Sequence, residues 1–229
     1  MIAIGYYTPD RVYGTHVELL KKSLIRQDIG FDFKEVQPGA WLDITALKPQ
    51  IILAMLHKHK QPVLYLDVDA VVHKGLADYF TGKTCDLAVY YKAGTELLSG
   101  TLYFNYCEAT LSLIEQWIQV LEQNPTLWDQ KALQQVLETH KADVEPLPVS
   151  FTYIFDTGKK EHPTITPIVE HLQASREGRH QALMTTWKYQ LLSALGLYPR
   201  STYRLRARRK RIAELSDEYG VEFRFGFKP

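Results

Sequence analysis

The sequence predicts an α/β fold with an open, mostly parallel sheet flanked by helices. Two observations carry this. Strand-like and helix-like segments alternate from the first residue onward, and Pro62–Asp67 (PVLYLD) is apolar at nearly every position before its aspartate. A near-continuous apolar run suits a strand buried on both faces of a parallel sheet. In such sheets the crossovers are right-handed and ligands sit beyond the carboxyl ends of the strands.

Met1–Tyr7 (MIAIGYY) reads as a buried first strand that stops at the turn signal Thr8-Pro9-Asp10. Thr15 and Glu18 have capping-box spacing ahead of Leu19, Leu20, Leu24 and Ile25, which recur at helical period. Phe31–Val36 alternates as a second strand and closes at Pro38-Gly39. A helix is expected from about Pro49 to Lys60, then the strand Pro62–Asp67. Further strands are expected at Asp86–Tyr91, Thr101–Asn105 and Phe151–Phe155, and helices at Glu108–Glu122 and Asp129–Thr139.

The length of 229 residues suits one large domain. A charge-poor, then basic, tail marks a second region: from Gly178 to Ala213 there is no Asp or Glu, but there are nine Arg and Lys residues. We therefore expect a domain over 1–180 and a basic helical appendage over 181–229, packed on the same domain. With 45% hydrophobic and 23% charged residues the chain reads as an ordinary globular protein with a sizeable core. Cys85 and Cys107 fit buried free thiols rather than a disulfide framework. No signal-like N-terminus or membrane-length apolar run is visible, so a cytoplasmic protein is expected, with peripheral placement at the inner face of a membrane as an option.

Asp67 and Asp69 carry the chemistry. They flank one residue after a buried run, and in an extended segment residues i and i+2 share a side. Adjacent carboxylates repel unless a proton or cation separates them, and a hard divalent ion with oxygen ligands can also hold a diphosphate. Plain turn chemistry is the alternative for aspartates at a strand end.

With these residues the sequence resembles the nucleotide-diphospho-sugar transferases of the GT-A (Rossmann-like) fold, particularly small bacterial and phage members related to glycosyltransferase family 8. The resemblance runs over several segments from the first strand to about Arg176. It implies transfer of a sugar from a nucleotide diphosphate sugar, UDP-linked by family preference, with Mn²⁺ or Mg²⁺ at the Asp-x-Asp element. It implies Asp67, Asp69 and the late histidine His171 as metal ligands, with Asp67 also toward the donor diphosphate. Tyr6, Tyr7 and Thr8 after the first strand are implied at the nucleobase and ribose. Leu98–Asn105 (LSGTLYFN) is similar to the family's Asn-Ser-Gly strand, which implies Ser99 and Gly100 near the donor sugar, although Leu98 stands where the family has Asn. Trp128-Asp129-Gln130 resembles the Asp-Gln element near the reaction centre, so Asp129 and Gln130 are the implied catalytic residues. Asp129 also fits a helix N-cap. Arg176 and Arg179, close after His171, suit a diphosphate. Family 8 similarity leans towards retention of anomeric configuration.

The acceptor expected is a saccharide, lipid-linked or other hydroxyl. Arg200–Arg211 (RSTYRLRARRKR) fits an anionic membrane surface or, second, a nucleic-acid backbone, as for a transferase acting on modified phage DNA bases; a solvated surface helix is the plain alternative. His57 and His59 read as part of a solvated helix end rather than a metal pair. Two rivals use the same carboxylates. A haloacid-dehalogenase-type phosphatase would need the motif on its first strand and a later acidic pair, and a nucleotidyltransferase would need a glycine-rich basic loop after the first strand. Neither feature is present.

Overall fold

The computed structural model describes residues 1–223 and 225. Strands β1 (Ile2–Tyr7), β2 (Phe31–Glu35), β3 (Val63–Leu66), β4 (Ala70–Val72), β5 (Leu87–Lys92), β6 (Glu96–Phe104), β7 (Val144–Pro146), β8 (Tyr153–Ile154) and β9 (Val169–His171) form two sheets. The larger has the order β2-β1-β3-β6-β5-β7, the smaller β4-β9-β8. β1 pairs in parallel with β2 and β3, and β5 with β7, whereas β6 runs antiparallel to both neighbours. The fold is thus the open, mixed and mostly parallel sheet that the alternation predicted. Gly5 lets β1 and β3 approach, since a Cβ there would lie 2.5 Å from the Leu66 carbonyl oxygen.

Helices α1 (Tyr13–Arg26), α2 (Trp41–His59), α3 (Leu76–Phe80), α4 (Glu108–Gln123), α5 (Asp129–Leu137), α6 (Phe155–Glu161), α7 (Ser175–Met184), α8 (Trp187–Ala194) and α9 (Arg200–Tyr219) surround the sheets. The period-2 pattern of the strands sorts the core into two layers. Ile4, Tyr6, Val63, Tyr65, Leu102 and Phe104 meet α2, α4 and α5 on one face. Ala3, Leu64, Leu66 and Tyr103 meet α1, α3 and the smaller sheet on the other. A third cluster joins Leu19 of α1, Val71 of β4 and Leu172 to Ile212, Leu215 and Tyr219 of α9.

Several local expectations differ from the structure. The capping box at Thr15 and Glu18 does not form: α1 starts two residues earlier, and Asp10 Oδ1 accepts the amides of Val12 and Tyr13 instead. α2 begins eight residues before Pro49. Proline is favoured at a helix start but is tolerated here in the interior, because Ile44, Ala46 and Leu47 extend the core-facing side backwards. Phe151–Phe155 is not one strand; a 3-10 turn over Val149–Phe151 passes into the two-residue β8 and then α6. Glu222–Phe227 (EFRFGF), whose alternation leaves open an added edge strand or a partner contact, lies partly outside the described residues, and Glu222, Phe223 and Phe225 have no regular structure. Position 180, where the composition changes, falls inside α7. Cys85 is buried and Cys107 half-buried, and neither forms a disulfide.

Candidate active site

The sheet ends build the site. β3 stops at Leu66, and residues 67–69 form a turn closed by the Ala70 amide on the Asp67 carbonyl at 3.0 Å. The two carboxylates therefore converge through a turn, not through the extended geometry that the i, i+2 spacing suggested. The antiparallel register of β4 and β9 sets Ala70 opposite His171, which delivers the imidazole beside Asp69. Ligand atoms of Asp67, Asp69 and His171 lie within 4.8 Å of one another.

The surroundings of these side chains match a hard divalent cation. His171 Nε2 lies 2.9 Å from Thr101 Oγ1, so Nδ1 is the nitrogen that faces the carboxylates, 3.7 Å from Asp69 Oδ1. The Ala174 amide donates to Asp69 Oδ2 at 2.7 Å, leaving Oδ1 turned inward. Burial pushes the Asp69 carboxyl up, but the His171 contact and the Ala174 amide outweigh it and hold the group below its ordinary value. Gly100 keeps the space open: a Cβ there would meet His171 Cε1 at 3.0 Å and Asp67 Oδ2 at 3.1 Å. Two oxygen donors and one imidazole around a gap that a methyl group would fill is a donor set suited to Mn²⁺ or Mg²⁺.

Beside this cluster lies a group that sequence reading missed. Lys48 of α2 is only 4% exposed. Its Nζ sits 2.7 Å from Asp129 Oδ2, 3.4 Å from Asp67 Oδ1 and 3.0 Å from Ser99 Oγ, and Ser99 Oγ donates to Asp129 Oδ2 at 2.9 Å. Burial alone would pull this ammonium's pKa down, but Asp129 and Asp67 win and raise it. Lys48 thus faces two carboxylates, and with Asp69 the site holds three acids beside one fixed cation, so a divalent ion would balance the remainder. The signal was present: Lys48 stands on the apolar stripe of Ile44, Ile51, Ile52 and Met55, where a solvated lysine has no place.

The other expected residues fall in different places. Asp129 is the first residue of α5, which Trp117 anchors by donating Nε1–H to the Asp129 carbonyl at 2.9 Å. Its carboxylate does not cap the helix; it points at Lys48 and Ser99. Gln130 is half-buried next to it. Tyr6 lies within the site rather than at its rim, donating to the Ile44 carbonyl at 2.9 Å beside Tyr65, whose hydroxyl donates to Asp67 Oδ1 at 2.9 Å. Burial raises the pKa of both phenols. Tyr7 reaches Glu35 at 3.4 Å, and the Thr8 hydroxyl donates to Asp10. Arg176 is held by Asp156. Arg179 is exposed on α7, and its charge is felt by the Tyr13 hydroxyl together with those of Asp69 and Asp67.

The basic run behaves differently from a solvated strip. α9 turns Arg208 onto Asp156, Arg209 onto Glu177 and Arg211 onto Glu170, while Arg200, Arg204, Arg206 and Lys210 remain exposed. His59 contacts Asp32 at 2.7 Å, and His57 is exposed at the end of α2.

A mixed sheet whose central strand runs into a carboxylate turn, with a histidine from a late strand completing the cluster, defines the GT-A class of nucleotide-sugar enzymes. A family profile of nucleotide-diphospho-sugar transferases matches residues 2–180, and the chain belongs to that family; it is a glycosyltransferase. Solved structures share the fold. A glycosyltransferase involved in glycosylation of the major capsid of PBCV-1 aligns with TM-score 0.63 at 13% identity, over 80% of this chain and 98% of its own. GlyE of Streptococcus pneumoniae TIGR4 aligns with TM-score 0.52 at 19% identity, over 74% of this chain and 54% of its own. The galactosyltransferase LgtC, solved with donor and acceptor sugar analogs, aligns with TM-score 0.50 at 15% identity, over 81% and 97%. No curated protein sequence matches the chain significantly. The phosphatase reading of Asp67 and Asp69 is not favoured by these likenesses.

Proposed function

We propose that the protein transfers a sugar from a UDP-sugar to a hydroxyl of a saccharide or lipid-linked acceptor, with Mn²⁺ or Mg²⁺ held by Asp67, Asp69 and His171. The observation that carries this reading is the convergence of those three side chains beneath Gly100. A divalent ion bound there supplies Lewis-acid stabilisation of the departing diphosphate. The chain's own residues do the rest. Arg179, exposed on the side of α7 that Tyr13 senses, is the diphosphate cation we favour, whereas Arg176 is spent on Asp156. Ser99 and Gly100 form the floor for the donor sugar, and Tyr7 and Thr8 the rim for the nucleoside.

Asp129 is a buried anion gripped by Lys48 and Ser99. A carboxylate fixed in this way suits stabilising positive charge on the sugar ring more than taking a proton from an acceptor, which supports retention, with Gln130 alongside. Lys48 fixes Asp129 and also borders Asp67, so it links the sugar subsite to the ion. The acceptor's surroundings are read from the tail. Exposed Trp187, Leu191, Leu195 and Leu197 precede the exposed arginines of α9 in the chain, a mixture that suits an anionic membrane interface better than a nucleic-acid backbone. We therefore place the enzyme at the cytoplasmic face of a membrane. Among the described residues no helix is long and apolar enough to cross one.

The test is calorimetric titration and thermal shift with UDP and UDP-sugars, with and without Mn²⁺. A ligand at one hundred times its Kd stabilises the fold by about 2.7 kcal/mol. Stabilisation should require metal and vanish in the Asp67→Asn, Asp69→Asn double variant while its far-UV spectrum stays unchanged. Metal-independent binding that survives the double substitution would remove the proposed site.

A further inference from the structure

Among the described residues, most of the large exposed apolar side chains fall in the stretch from Trp187 to Tyr203. Trp41 and Trp128 are the exception that clusters elsewhere. They are 43% and 50% exposed and touch each other edge to face, with ring centroids 5.4 Å apart and planes at 82°. Neither is needed to start its helix: α2 and α5 have Ala40 and Trp128 at their N-caps without a side-chain cap bond. Two indoles left half in water forgo burial that elsewhere in this chain, at Trp117, is complete.

Their position gives the pair a use. Trp128 directly precedes Asp129, whose carboxylate faces Lys48 and Ser99. Trp41 opens α2, one turn ahead of the Ile44 carbonyl that Tyr6 holds and two turns ahead of Lys48. The site therefore has an order: the carboxylate and histidine cluster, then Lys48 with Asp129, then the two indoles. A donor whose diphosphate lies at the first and whose sugar lies at the second leaves the third for the acceptor. Perpendicular indoles form a corner with one ring face and one ring edge. A pyranose matches it, since its axial C–H bonds pack on the face while its hydroxyls stay in water or reach the indole N–H.

We propose that Trp41 and Trp128 are the acceptor platform, stacking the apolar face of a pyranose ring so that one of its hydroxyls meets the donor sugar beside Asp129. This assignment rests on the transferase reading above and deepens it: the acceptor unit in contact with the enzyme is a sugar ring, whatever carries it.

Tryptophan emission tests the platform separately from donor chemistry. Methyl α- and β-glucopyranoside, methyl α- and β-galactopyranoside and lactose are titrated into the protein, with and without UDP and Mn²⁺. At least one should give a saturable change in emission, with affinity about tenfold weaker in Trp41→Ala and in Trp128→Ala and within about threefold of the parent in Trp128→Phe. The same samples, melted in parallel, report folding. No saturable change with any glycoside, or equal affinity in the alanine variants, would overturn the platform. A concentration-dependent dimer abolished by the same variants would also overturn it, by assigning the indoles to a second copy of the chain. UDP calorimetry on the parent protein tests the transferase reading alone, so the two failures are distinguishable.

Discussion

Lys48→Met is the most informative single change. Methionine keeps the length and apolar stem of the side chain and removes only the ammonium, which lies 2.7 Å from the buried Asp129 Oδ2 and 3.4 Å from the half-exposed Asp67 Oδ1. Asp129 then keeps the Ser99 hydroxyl but loses its counter-charge at a buried position. Breaking a buried ion pair from one side costs about 3–5 kcal/mol, because the surviving charge is left desolvated. For a chain of this size that corresponds to a melting point lower by roughly 10 °C. Chemical denaturation followed by circular dichroism measures it. The double variant Lys48→Met, Asp129→Asn removes both charges and should recover a large part of the loss, since a neutral pair of similar volume is tolerated. If Lys48→Met unfolds within about 0.5 kcal/mol of the parent, a value ordinary for a surface substitution, the buried pair and the role given to it are wrong.

Further predictions concern three other places. Gly100→Ala puts a methyl group 3.0 Å from His171 Cε1 and 3.1 Å from Asp67 Oδ2, so Mn²⁺-dependent UDP binding should weaken about tenfold or more in calorimetry; unchanged affinity would show that no ion sits there. Burial pulls the His16 imidazole down to about 4, from an unfolded value near 6.5. A depressed folded value means stability that is complete above pH 6.5 and is lost as pH falls towards 4. About 2 kcal/mol should be gone by pH 5, and His16→Gln should lack that part of the decline in urea titrations at pH 8 and pH 5. Identical declines would refute it. Replacing Trp187 and Leu191, both on the outer face of α8, by serine should lower co-sedimentation with phosphatidylserine vesicles several-fold, each exposed basic residue of α9 adding about 1 kcal/mol to the attraction. Equal sedimentation of parent and variant would remove the membrane reading.

Much of this protein was legible in its sequence because local patterns suffice for it. The apolar run before Asp67 marks a two-sided buried strand, and β3 does lie at the middle of the sheet. The period-2 and period-3.6 patterns of β1, α1, β2, α4 and α5 sort residues onto faces, a property of a few consecutive backbone angles. The carboxylate pair was visible for the same reason, as two like charges after a buried run.

What lay beyond it was decided by long-range contacts. Pro49 looked like a helix start, yet packing of Ile44, Ala46 and Leu47 against the core goes with an α2 that begins two turns further back. β4 and β9 are three residues each, too short to show a period, and only their pairing sets His171 against Asp69, roughly a hundred residues away in the chain. Arg208, Arg209 and Arg211 read with the rest of Arg200–Arg211 as a surface for an anionic partner, because the acids that neutralise them, Asp156, Glu177 and Glu170, lie 32 to 52 residues earlier. Lys48 was passed over because a lysine's meaning depends on what faces it, and Asp129 is supplied by another helix. The sequence by itself determined which strands are buried, where the sheet's central strand ends and that two carboxylates stand there. The tertiary structure alone decided how His171 comes to stand beside them, which lysine balances them and which arginines pair with acids inside the fold. Charges act through space across a fold whose separations are not written in the spacing of residues along the chain.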